Sequence, residues 1–124
     1  MISEKEMEPE PTPSSLEVSD QAAARVAVAP RVTLADIEAA IAARYDFTAD
    51  QAVGAAPVVD PLKLLSICIL VLQNGFTVIG KSAPASPENF NAEVGRKLAY
   101  EDAVRQLWPP LGFNLRQKLH DASQ

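Results

Sequence analysis

One segment of the chain matches the spacing of a phosphate-binding loop. Gly75, Gly80, Lys81 and Ser82 fit the pattern G-x-x-x-x-G-K-[ST], in which backbone N–H groups wrap a phosphate while the lysine and the hydroxyl serve phosphate and magnesium. The context argues against this function, because residues 76–79 are strand-forming and prolines follow the serine where a helix should begin. Nucleotide binding at residues 75–82 is therefore the least favoured interpretation.

The other side chains that could do chemistry stand apart from one another. Cys68, the only cysteine, lies inside an apolar run, where a thiol is inert, and His120, the only histidine, lies near the end of the chain. Neighbouring Glu101 and Asp102 would point about 100° apart on a helix, so they do not form an acid/base pair. The sequence predicts no catalytic residue, no metal site, no cofactor and no internal disulfide, which fits a non-enzymatic protein of a reducing cytoplasm.

Basic residues offer one candidate binding patch for a phosphate-bearing or acidic partner. Its members are Lys81, Arg96, Lys97, Arg105, Arg116 and Lys118. The chain's net charge of -5 excludes a general nucleic-acid coat, but residues 61–124 carry seven bases and five acids, a net of +2. Nucleic-acid binding through the predicted long helix is therefore the alternative function, although ion pairs such as Glu93 with Lys97 are the ordinary role of such charges.

The first 32 residues have the composition of a mobile tail. Glutamates are interspersed with prolines up to residue 13, and apolar residues do not recur at the spacing of a helix or a strand. The segment lacks the basic start and the long apolar run of a signal peptide, so we expect a cytoplasmic protein. Residues 33–124 are predicted to form a single small domain.

A helix is predicted over residues 33–46. Thr33 with Asp36 resembles a capping box, and Leu34, Ile37, Ile41 and Tyr45 then recur at helical spacing. One apolar stripe of this kind needs a partner surface.

A β-hairpin is predicted over residues 62–83. Asn74-Gly75 separates two apolar runs, and a two-residue turn there would place Val71 opposite Val78 and Ile69 opposite Gly80. The first run is apolar on both faces and too short to cross a membrane. We therefore expect the hairpin to be covered on both sides, or one face to be used in self-association.

A long helix is predicted over residues 87–108, with Ser86 as its cap and Pro109 and Pro110 ending it, followed by a short helix over residues 113–120. The fold class is α+β, with the long helix packed on the hairpin. So small a core favours a homo-oligomer, most simply a dimer. The candidate interface residues are Ile67, Ile69, Val71, Tyr100 and Trp108.

Residues 64–119 also resemble a family of small tailed-phage and prophage proteins labelled after products of coliphage N-four and the Shigella phage Sf-six. The residues that carry the resemblance are Asn74 to Val78, Gly80, Ser82-Ala83, Ser86 to Phe90, Glu93, Gly95 to Lys97, Ala99, Ala103, Trp108-Pro109, Gly112-Phe113 and Leu115. The opening of the predicted first helix, from Thr33 to Ile41, is similar as well. Pro84 stands where family members usually have a cysteine, and Lys81 where they commonly have an acid.

The resemblance implies a phage or prophage origin and an accessory role, and it carries no reaction over to these residues. The expected function is binding of a host protein or a small ligand, as in host takeover or counter-defence, and the resemblance implies that it takes place in the cytoplasm of a bacterial host cell.

Overall fold

The computed structural model describes residues 14–124, of which residues 14–30 belong to one compact unit and residues 31–124 to a second. The first unit contains helix α1, Ser15–Val26, so the predicted mobile tail is wrong for this stretch. Ser14 caps α1 by accepting a hydrogen bond from the Glu17 N–H at 3.1 Å, and Arg25 lies in its last turn. The alanines at 22–24 favour helix, and no proline lies between the cap and Val26. Residues 1–13 of the predicted tail lie outside the described residues.

The second unit begins with helix α2, Leu34–Ala40, which starts as predicted but ends early. Thr33 and Asp36 form the expected capping box, with bonds of 3.0 Å and 2.9 Å between each side chain and the other's backbone N–H. Strand β1, Ile41–Thr48, takes the place of the predicted second half of the helix. The strand gains a full ladder of backbone bonds with its neighbour, whereas the helix would gain only local ones.

The sheet has three antiparallel strands in the order β1-β2-β3, with β2 being Ser66–Leu72 and β3 Thr77–Ser82. The predicted hairpin is therefore confirmed, and β1 adds a third strand to it. A short 3-10 helix, Asp60–Leu64, occupies the start of the range predicted as hairpin. The fold class is α+β.

The hairpin turn is one residue longer than predicted, so the strands pair differently. Ile69 lies opposite Ile79 and Leu70 opposite Val78, which leaves residues 73–75 in the loop. Within this loop only Gly75 takes a positive φ, of 88°. Asn74 keeps a negative φ and instead accepts a hydrogen bond from the Phe76 N–H through Oδ1 at 3.0 Å. A turn closed by the Asn74 side chain thus replaces the predicted two-residue turn, in which both central residues need a positive φ.

Helix α3, Ala92–Arg105, is shorter than the predicted long helix at both ends. Pro87–Asn89 forms a separate 3-10 turn, and Asn91 rather than Ser86 is the cap, accepting a hydrogen bond from the Val94 N–H at 3.0 Å. Helix α4, Trp108–Ala122, replaces the predicted short helix. Its two prolines stand in the first turn, where a backbone N–H has no acceptor within the helix, so they begin α4 instead of ending α3.

Helix α3 packs on one face of the sheet and approaches it closely. A Cβ on Gly80 would overlap the carbonyl oxygen of Ala99 and the backbone nitrogen of Ala103, and a Cβ on Gly95 would overlap Oγ of Ser66. Gly80 was expected to make room opposite Ile69, but it faces the helix. The interior of this layer contains the fully buried side chains Ile37, Cys68, Leu70, Val104 and Leu107. None of the helices within residues 14–124 has the length and hydropathy needed to cross a membrane.

Candidate functional site

The face of the sheet turned away from α3 is apolar, and we call it the open face. Alternation along the strands and the observed register assign nine residues to it: Ala43, Tyr45 and Phe47 of β1, Ile67, Ile69 and Val71 of β2, and Thr77, Ile79 and Lys81 of β3. Tyr45, Ile69 and Ile79 form its central row across all three strands. Lys81 is the only charged member and stands at one corner.

Large side chains of the open face lie in solvent. Tyr45 is 57% exposed and Ile79 is 58% exposed, while Ile67, Ile69 and Val71 of the central strand are half-buried. An antiparallel sheet with one wet face normally alternates apolar and polar residues, but β2 carries apolar residues on both faces with Ser66 as the exception. The open face is thus an exposed apolar patch of the kind that marks an interaction surface.

The five predicted interface residues divide between two sides of the sheet. Ile67, Ile69 and Val71 lie together on the open face. Tyr100 belongs to α3, and its ring lies 4.1 Å from Cζ of Arg44, on the helix side. Trp108 is half-buried at the first position of α4.

Helix α3 closes the outer edge of β3 with two side chains. Asp102 accepts a hydrogen bond from the Lys81 N–H through Oδ2 at 2.9 Å. Gln106, one turn further on, donates from Nε2 to the Ile79 carbonyl oxygen at 2.7 Å. Because these backbone groups are occupied, the edge is a poor template for strand addition at that point.

The six residues of the predicted basic patch are not brought onto one surface. Lys81 points to the open face, whereas Arg96, Lys97 and Arg105 belong to α3 on the other side of the sheet. Arg116 and Lys118 belong to α4. Arg105 Nη2 lies 3.9 Å from Oε2 of Glu101, a pair expected from the sequence. The patch stays a prediction.

The segment that matches a phosphate-binding loop is built as a strand. Residues 77–82 are extended and paired with β2, so their backbone N–H groups cannot converge on a phosphate. No helix begins at Lys81. The match in sequence is therefore accidental.

Cys68 is fully buried under α3, opposite Asp46 of β1. Burial raises the pKa of the Cys68 thiol to about 11, and the Asp46 carboxylate adds to the increase. The thiol therefore stays protonated at neutral pH and packs as a small apolar group. Asp46 itself is held by Arg44, which donates from Nε at 2.8 Å and from Nη2 at 3.2 Å.

A cleft at one end of the sheet was not predicted. It lies where β1 ends, β2 begins and α3 starts, has a volume of 430 Å³, and includes Ser66, Phe90 and Arg96 in its lining. The signal for it in the sequence is Ser66, a single hydroxyl at the start of an otherwise apolar strand. Among the described residues, no group of three or more His, Cys, Asp or Glu side chains could hold a metal ion.

Comparison with known proteins places the chain in one family. No curated protein and no solved structure matches it. A family model described as "Phage protein (N4 Gp49/phage Sf6 gene 66) family" matches residues 32–119. That range holds α2, the whole sheet, α3 and most of α4, and it includes both the open face and the cleft. The chain belongs to the phage protein family of N4 Gp49 and phage Sf6 gene 66.

Proposed function

We propose that this phage-family protein is a non-enzymatic accessory protein that acts by binding, and that it does so as a homodimer joined through the open face. The observation that carries the proposal is the apolar central row formed by Tyr45, Ile69 and Ile79, in which Tyr45 and Ile79 are exposed and Ile69 is half-buried. Its target in the cell is a host protein or a small ligand. The buried thiol of Cys68 and the extended backbone of residues 77–82 support a binding role over a catalytic one.

The open face of a second copy is a suitable partner for this surface, because both are apolar and almost uncharged. Eight of the nine members are uncharged, and the ninth, Lys81, stands at a corner where a two-fold interface can leave it in solvent. An acidic or basic partner would find almost no charge to pair with on this face. Apolar faces of two sheets pack against each other about 10 Å apart in β-sandwiches.

The size of the open face also suits a dimer. Strand and residue spacings make it roughly 15 Å by 20 Å. Two such faces have a flat area of roughly 600 Å² in total, which is below the area of standard stable interfaces and suits a weak, transient pairing. We therefore expect a reversible dimer with a Kd of about a micromolar, rather than a permanent one.

A charge placed in the central row tests the proposal. Ile79→Glu puts a carboxylate opposite the apolar partner face, so we expect a monomer by light scattering at concentrations where the native chain is dimeric. Phe113→Glu is the matched control, because Phe113 is 73% exposed on α4 and lies off the open face.

The circular dichroism spectrum should be native for both variants, since both positions are exposed. A dimer that survives Ile79→Glu, or one that Phe113→Glu dissociates equally well, would place the interface elsewhere.

A further inference from the structure

Two adjoining cavities meet at the end of the sheet where β2 begins. The smaller is a pocket of 150 Å³ with a mainly apolar lining that includes Leu64, Pro84, Phe90, Val94 and Leu98. The larger is the cleft of 430 Å³. Ser66 and Phe90 line both cavities, so one ligand can reach from the pocket into the cleft.

The cleft is suited to an anion. Lys63 and Arg96 line it. Lys63 Nζ pairs with Asp60 Oδ1 at 3.4 Å, whereas Arg96 makes no ion pair or hydrogen bond among residues 14–124. Asp46 is the one acid in the lining, and its carboxylate is engaged by Arg44 at 2.8 Å. Ala92, the first residue of the 14-residue helix α3, also lines the cleft. Asn91 Oδ1 already accepts the Val94 N–H of that first turn, so the N–H groups of Ala92 and Glu93 are the ones that can face an anion there.

Ser66 places a hydroxyl on the wall of both cavities. The residue as a whole is 2% exposed, but its Oγ is not a fully buried orphan, since Asp50 Oδ1 is the one such side-chain atom among residues 14–124. The hydroxyl lies beneath Gly95, in space that any larger residue at position 95 would fill. A hydroxyl both donates and accepts, so it is suited to a polar atom of a ligand that spans the two cavities.

We propose that these two cavities form one site for a small aromatic anion, with the ring in the pocket and a phosphate or carboxylate in the cleft. A 150 Å³ apolar cavity is large enough for a benzene ring. Arg96, Lys63 and the start of α3 bind the anion, and Ser66 binds a polar atom between the two groups. This site goes beyond the proposed dimer and uses a different surface.

The probes that test it are phenyl phosphate and benzoate, titrated into the full chain and followed by amide chemical shifts in NMR. Phenol and inorganic phosphate are the control ligands, because phenol carries only the aromatic ring of phenyl phosphate and inorganic phosphate carries only its anion. We expect phenyl phosphate or benzoate to move the amides of Ser66, Phe90 and Arg96 at millimolar concentration, and each half alone to bind at least about tenfold more weakly. Ile79→Glu should bind equally well, which separates this site from the dimer interface.

Arg96→Gln is the decisive variant, and Lys97→Gln is its matched control. Both positions are exposed on α3, but only Arg96 lines the cleft. We expect Arg96→Gln to weaken phenyl phosphate or benzoate binding about tenfold or more, and Lys97→Gln to leave it unchanged. The proposal is overturned if neither anion shifts the cleft amides at about 5 mM, well above the ~1 mM of weak binding. Equal loss in both variants, or inorganic phosphate binding as tightly as phenyl phosphate, overturns it too.

Discussion

Gly80 is the residue whose replacement should cost this fold most. Its Cα lies against the backbone of α3, so Gly80→Ala forces the helix away from the sheet, and we expect a loss of about 2–3 kcal/mol in the free energy of unfolding. Gly112→Ala is the matched control, because a Cβ there meets open space within α4 and should raise stability by up to about 1 kcal/mol. Urea denaturation of both variants measures the difference. Equal stability of the two would show that α3 does not approach the sheet so closely.

Cys68 should make stability depend on pH in the alkaline range. The pKa of its thiol is about 11 in the folded chain against 9.0 ordinarily, so the unfolded chain loses this proton first as pH rises. Stability is therefore full below pH 9 and falls between pH 9 and pH 11, by at most about 2–3 kcal/mol. Urea denaturation of the native chain and Cys68→Ala across this range isolates the effect, because the variant lacks the titrating group. A constant difference between the two chains would contradict it.

Single residues were partly predictable from the sequence. The burial of Cys68 follows from its place in an apolar strand. The contact of Gly80 with α3 could not be predicted, because a one-residue change in the hairpin register moves Gly80 from the face of Ile69 to the face of the helix. The place of the Ser66 hydroxyl beneath Gly95 depends on α3 lying above it, which no local pattern reveals.

The hydrogen bond from Lys81 of β3 to Asp102 of α3 gives a prediction about how the helix protects the edge of the sheet. Asp102→Ala removes the acceptor for the Lys81 N–H, and we expect it to lower stability by about 1 kcal/mol and to speed amide exchange at Lys81. Asp102→Asn keeps an acceptor oxygen and should retain most of the protection. Hydrogen exchange followed by NMR measures both variants. Unchanged exchange at Lys81 in Asp102→Ala would mean that the bond does not close the edge.

The types of most elements were predictable, and their ends were not. Helix α2, the hairpin and α3 all follow from caps, periodicity and turn residues. Residues 41–48 were missed because Ile41 and Tyr45 fit both a helical stripe and a strand, and only the free edge of β2 decides between them. Pro109 and Pro110 were read as a stop, whereas the first turn of a helix tolerates proline.

The whole molecule combines a sheet covered on one side with an apolar face that α3 leaves open. The sequence predicted that the hairpin would be covered on both faces or would associate through one, since β2 is apolar on both. Ile67, Ile69 and Val71 of the predicted interface do lie side by side on β2, and Tyr100 lies on the helix side of the sheet. A helical wheel cannot show on which side of a sheet its helix lies. The residues of the cleft come from distant parts of the chain, so only the fold brings them together.

Sedimentation equilibrium of the native chain tests the dimer most directly. The chain has a mass of 13.3 kDa. The proposed pairing of open faces predicts that the mass rises with concentration to twice this value, with a transition at about a micromolar. A mass of 13.3 kDa throughout, up to about millimolar concentration, would contradict it.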